Sequence, residues 1–162
     1  MNLNDNINEK DIEYMTLALE AAREAATRGE VPVGAVIVRY GTDIVGIGSN
    51  LRETGKNALY HAEVRAIDDA CKRLGGWRLP QCTMYVTLEP CTMCAGAIIN
   101  SRIDRVVFGA YDKRAGAMGS VLDINTLGLN HTCDVVGGVM EEECAMLLKD
   151  FFKKKRAGIG VL

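Results

Sequence analysis

The sequence predicts one α/β domain of three layers, a five-stranded mixed sheet with helices on both faces. Segments with helical apolar spacing alternate with short β-branched runs in the order α-β-β-α-β-α-β-(α)-β-α, the signature of a sheet crossed by helices. Two early strands are joined by a tight turn and so pair antiparallel, whereas the later strands are joined through helices and are expected to run parallel. The 162 residues are 48% hydrophobic, enough for one compact core, and no repeat or low-complexity tract divides them, so residues 1–162 read as a single domain.

Residues 11–28 place Ile12, Met15, Leu19, Ala22 and Ala26 on one helical face, and Gly29 is a suitable stop. Residues 33–40 and 44–49 are β-branched runs around the turn Gly41-Thr42-Asp43, an antiparallel hairpin. A polar connection, residues 51–60, leads to a helix from Ala62 marked by Val64, Ile67, Ala70, Cys71 and Leu74 and closed by Gly75-Gly76. Residues 82–88 are the third strand, 91–101 the third helix, and 105–108 the fourth strand. A Gly- and Ala-rich stretch, 112–120, is expected to be a flexible loop, 121–127 is weakly helical, 133–136 is a fifth strand and 141–156 a final amphipathic helix.

No apolar run reaches the roughly eighteen residues that a membrane helix needs, and the polar, acidic start lacks the layout of a signal peptide, so a cytoplasmic protein is expected. Six cysteines then read as metal ligands and buried thiols rather than a disulfide framework, with Cys71 and Cys82 in the core. The net charge of −2 announces no nucleic-acid binder. Its distribution is uneven, however. Lys153, Lys154, Lys155 and Arg156 form a basic helical end, either a solvated terminus or a track for a phosphate backbone, with Arg52, Lys56 and Arg114 as weaker candidates for phosphate contact.

Two motifs carry the chemistry: His61-Ala62-Glu63 and Glu89-Pro90-Cys91-Thr92-Met93-Cys94. A catalytic zinc takes three nitrogen or sulfur ligands and leaves its fourth place open, and one imidazole with two thiolates makes that set. Positions i and i+2 diverge by about 200° on a helix, so His61 and Glu63 can face one metal only if His61 sits at a loop-to-helix junction. Pro90 likewise favours an extended approach to a helix start, with Cys91 and Cys94 three apart in its first turn, where unpaired N–H groups favour thiolates. A structural zinc knuckle or a redox pair is the bland alternative for Cys-x-x-Cys alone. A structural site would need a fourth ligand, and Cys71, Cys82, Cys133, Cys144 and His131 offer no spacing that supplies one.

His-x-Glu with Pro-Cys-x-x-Cys is the pattern of zinc-dependent base deaminases. The chain resembles the cytidine deaminase superfamily and, within it, the branch acting on tRNA adenosines; the likeness runs from Val31-Pro32-Val33-Gly34-Ala35 through Gly48-Ser49-Asn50, the two motifs, residues 100–120 and Asn130-His131 to Phe151-Phe152. It implies a cytidine-deaminase-like fold and one zinc per subunit on His61, Cys91 and Cys94. It implies Glu63 as the proton shuttle and Asn50 as a hydrogen-bonding partner of a purine, with Val33, Ala62, Leu88, Glu89 and Asp112 as further substrate-binding positions. The implied reaction turns wobble adenosine into inosine in a tRNA anticodon loop, releasing ammonia, and the implied assembly is a homodimer. Residues 57–60 read Asn-Ala-Leu-Tyr where that branch often has Asp-Pro-Thr-Ala, so Tyr60 is expected to reshape the pocket mouth, and Tyr111 replaces a basic residue of some relatives. Those departures keep a second expectation, a deaminase of free purine bases or nucleosides; a non-enzymatic zinc-stabilised interaction domain is the third.

Overall fold

A computed structural model describes residues 7–158; residues 1–6, part of the acidic stretch noted above, and 159–162 lie outside the described residues. Helix α1 (Glu9–Thr27) begins two positions before the apolar pattern suggests. A capping box explains this: Asn8 Oδ1 accepts from Asp11 N at 2.9 Å and Asp11 Oδ2 accepts from Asn8 N at 3.2 Å. There follow β1 (Gly34–Arg39), β2 (Asp43–Ser49), α2 (Ala62–Leu74), β3 (Cys82–Leu88), α3 (Thr92–Asn100), β4 (Arg105–Ala110), β5 (Asp134–Gly137) and α4 (Glu141–Arg156). The weakly helical stretch before β5 tightens into one 3₁₀ turn, Ile124–Thr126.

The five strands lie in the order β2-β1-β3-β4-β5. β1 is antiparallel to both neighbours, and β3, β4 and β5 run parallel. β2 and β3, joined through α2, therefore point the same way with β1 between them. The sheet is mixed, as the connections predict.

Strand alternation splits the core in two. Ala35, Ile37, Met84, Val86, Val106 and Phe108 face α2 and α3, while Val36, Val38, Tyr85 and Val107 face Tyr14, Met15, Ala18 and Leu19 of α1 and Cys144 of α4. Each large apolar side chain among these contributes about 1.5–3 kcal/mol by leaving water. Across the second layer, Arg105 Nη1 and Nη2 reach Asp11 Oδ1 and Oδ2 at 2.8 and 3.0 Å, tying the start of α1 to β4.

Close approach positions α2. A Cβ on Gly46 would overlap the carbonyl oxygen of Ala66, and one on Gly48 that of Ala62. Only bare backbone on β2 lets α2 settle at this depth, and the start of α2 carries both residues of the first motif. Among the described residues no helix is long and apolar enough to cross a membrane.

Candidate metal centre and its cavity

His61 is the N-cap of α2, in extended conformation (φ −72°, ψ 152°), so its ring and the Glu63 side chain turn toward one point, which positions i and i+2 within a helix could not do. Cys91 is likewise extended (φ −75°, ψ 178°) and caps α3, one position earlier than the sequence pattern places it in the helix. Pro90 keeps Glu89 before it out of helical conformation, so the helix cannot extend back past the motif. Cys94 then occupies the third helical position. Two helix starts meet.

His61 Nδ1 lies 3.6 Å from Cys91 Sγ and 3.4 Å from Cys94 Sγ, and all three donor atoms lie within 4.8 Å of one another. A tetrahedral zinc with bonds of about 2.3 Å to sulfur and 2.05 Å to nitrogen sets such a pair about 3.6 Å apart. The three donors thus fit zinc through Nδ1 and two thiolates. They are the only cluster of three or more His, Cys, Asp or Glu side chains with metal-binding separations among the described residues. Cys82, Cys133 and Cys144 are buried elsewhere, with burial pushing their thiols up to about 11, 11 and 12. Cys71 is half-buried at the margin of the core rather than inside it. His131 Nε2 sits 2.8 Å from the carbonyl oxygen of Ile103, a turn contact.

The Cys94 thiol donates to the Cys91 sulfur and brings Cys91 down to about 3, whereas Cys94, holding that proton and buried, is pushed up. Contact with Cys91 raises His61. Glu63 is 4% exposed, and burial raises its carboxyl to about 7.

His61, Glu63 and Cys91 line a cavity of about 260 Å³, while Cys94 is fully buried and does not border it. Val33, Asn50, Ala62, Leu88, Glu89 and Asp112 all border it, as do Val31 and Ala115, which were not among the expected substrate-binding positions. Asn50 Nδ2 donates to Val31 O at 3.3 Å and Oδ1 accepts from Arg52 N at 3.1 Å, which leaves the second amide hydrogen for another partner. Asp112 Oδ1 accepts from Arg114 N and Ala115 N, a turn-forming role.

Phe151 and Phe152 divide: Phe151 is core at 6% exposure, and Phe152, at 39%, borders the cavity mouth. Lys153, Lys154, Lys155 and Arg156 follow directly on α4 and are all exposed. Tyr60 is absent from this cavity. Its ring packs against Gly55 and lines a larger groove between β2 and α2, of about 720 Å³, which contains none of the three zinc donors. The expectation that Tyr60 reshapes the pocket mouth is therefore corrected: the 51–60 loop turns it outward, with Tyr60 N bonded to Asn57 O at 3.1 Å. Tyr111 also faces away, edge-on to Phe108 at 5.0 Å. The stretch 112–120 is pinned rather than flexible, because a buried carboxylate, Glu89, holds its backbone.

Residues 8–110 match the family model for the cytidine and deoxycytidylate deaminase zinc-binding region. The tRNA-specific adenosine deaminase of Bacillus subtilis (strain 168) is 49% identical over 144 residues, covering 88% of this chain and 89% of that protein. Its counterpart from Haemophilus influenzae (strain ATCC 51907 / DSM 11121 / KW20 / Rd) is 47% identical over 149 residues, 91% of this chain and 86% of that one. A solved structure from work on A-to-I editing by tRNA A34 deaminases at the wobble position superposes with a TM-score of 0.79 at 43% identity, covering 83% of this chain and 98% of that chain.

Proposed function

The chain belongs to the cytidine and deoxycytidylate deaminase family, and from that premise we propose that it hydrolyses the amino group of wobble adenosine in a tRNA anticodon loop, giving inosine and ammonia. The observation that carries this reading is the buried Glu63, which lines one cavity together with the zinc donors His61 and Cys91.

His61, Cys91 and Cys94 hold the zinc, which when bound supplies a Lewis acid that activates water at neutral pH. Glu63 takes one proton from the attacking water and passes it to the ring nitrogen beside the attacked carbon; it then takes the remaining hydroxyl proton and passes it to the amine, so that the C–N bond breaks, the carbonyl forms and ammonia leaves. Glu63, 4% exposed and bordering the same cavity as His61 and Cys91, is the carboxylate available to accept and return these protons. Val33, Ala62 and Leu88, which line the cavity, would offer the ring apolar surface, and the second amide hydrogen of Asn50 would serve as a donor to the purine. Asp112 at the rim is suited to a ribose hydroxyl.

An adenine must leave its stack to enter such a cavity, which costs least in a single-stranded loop. Phe152 at the mouth offers a face for a neighbouring base, and Lys153, Lys154, Lys155, Arg156 and Arg52 offer phosphate contacts. A homodimer, with the partner helping to line the RNA groove, and a cytoplasmic location accompany this function. The test is one panel: unmodified anticodon stem-loops with a wobble adenosine beside free adenine, guanine, cytosine and their nucleosides, each assayed for ammonia. Product from the stem-loop supports the reading. Product only from guanine or a nucleoside replaces it with a small-molecule deaminase.

A further inference from the structure

We infer that Glu89 is a positioning residue of this site, a buried carboxylate that fixes residues 112–120 as one wall of the cavity rather than touching substrate. This deepens the deaminase reading and rests on it. Glu89 is 2% exposed and sits one residue before Pro90, at the end of β3. Its Oε1 accepts from Asp112 N at 3.1 Å and from the Ser120 hydroxyl; its Oε2 accepts from Met118 N and Ser120 N, both at 3.1 Å. Each oxygen therefore takes two donors from the loop. The carboxylate's acceptor capacity is spent, and a purine in the cavity finds no lone pair there.

The loop is built to receive that charge. Gly116 has no room for a side chain, because a Cβ would overlap the Glu89 carboxylate, and Ala117 N closes the turn onto Pro90 O at 2.8 Å. A Gly- and Ala-rich segment has much backbone freedom to lose, and charge-assisted bonds to one buried anion are a strong way to remove it. The loop so fixed brings Asp112 and Ala115 to the cavity rim. A wall made rigid before substrate arrives lowers the ordering cost of binding, so its loss falls on KM rather than on the chemical step.

The test compares wild type, Glu89→Gln and Ser120→Ala in three readouts: backbone hydrogen exchange of residues 112–120, zinc content, and kcat and KM on a wobble-adenosine stem-loop. In Glu89→Gln an amide nitrogen would face loop donors. The expected result is reduced protection in the loop, unchanged zinc, kcat within about threefold, and KM raised about tenfold, the scale of one missing charge-assisted bond. Ser120→Ala removes only the hydroxyl bond and is expected to move KM the same way by less; it carries the test if Glu89→Gln does not fold. Unaltered loop exchange, a loss of zinc, or a fall in kcat at constant KM would overturn the assignment. A wild type that leaves the stem-loop unreacted defeats the proposed function instead, while the exchange comparison still decides whether Glu89 holds the loop.

Discussion

His61 Nδ1 and Cys94 Sγ stand 3.4 Å apart although each belongs to the start of a different helix. Neither could reach the other if α2 and α3 started elsewhere. Extended N-cap backbones at His61 and Cys91 and the close seat of α2 on β2 together bring the donors to one point.

With Glu63 as the proposed proton carrier, Glu63→Ala is expected to lower turnover by about 10²–10⁴-fold while zinc content and fold are retained. Its burial also sets a pH signature in the metal-free protein. A carboxyl raised from 4.5 to about 7 in the folded state adds stability that is full below 4.5 and is lost as pH rises through 7. Metal-free wild type should therefore lose more stability across that window than Glu63→Gln, as read by Tm against pH, and equal slopes would contradict the burial argument.

The seat of α2 can be tested at Gly48. In Gly48→Ala the new methyl meets Ala62 O and also stands 2.5 Å from Ala66 N, both backbone atoms that cannot rotate away. Overpacking of this kind costs about 1–3 kcal/mol in urea unfolding. Because His61 and Glu63 ride on the start of α2, activity should fall as well, even at temperatures where the variant is folded.

The two adjacent phenylalanines should part company. Phe151→Ala, in the core, is expected to cost about 3–5 kcal/mol of stability. Phe152→Ala should cost under about 1 kcal/mol and instead raise KM for RNA, because its exposed ring borders the cavity mouth. Equal losses of stability would contradict that division.

Replacing Lys153, Lys154, Lys155 and Arg156 with Ala should weaken stem-loop affinity for every sequence alike. For each cation that no longer neutralises a phosphate, the slope of log K against log salt should become shallower by roughly 0.7 on single-stranded RNA. An unchanged salt slope would make this helical end a solvated terminus only.

Much of the fold is legible in the chain because its signals are local. The helical apolar spacing, the Gly41 turn and the alternation of Ala35, Val36, Ile37 and Val38 across the sheet need no distant partner to be read. The metal donors are legible because His-x-Glu and Pro-Cys-x-x-Cys each restrict the backbone to a helix start. What escapes is set by packing between residues remote in sequence or by loop geometry. Tyr60, beside a ligand in the chain, turns to Gly55 and away from the cavity. Glu89 reads as a substrate-binding residue, yet its oxygens are taken by a loop more than twenty residues on. Residues 112–120 look flexible by composition, and only the buried charge beneath them makes them rigid. Likewise, helical spacing alone could not say which of Phe151 and Phe152 faces the core.

X-ray absorption at the zinc edge of the purified protein tests the metal centre most directly, since the proposed chemistry depends on a zinc with one place left for solvent. The predicted spectrum has two sulfurs at about 2.3 Å and two lighter atoms at about 2.0–2.1 Å, only one of them an imidazole nitrogen. A third sulfur or a second imidazole would mean that the protein fills the fourth place itself, and the deaminase mechanism would fail with it.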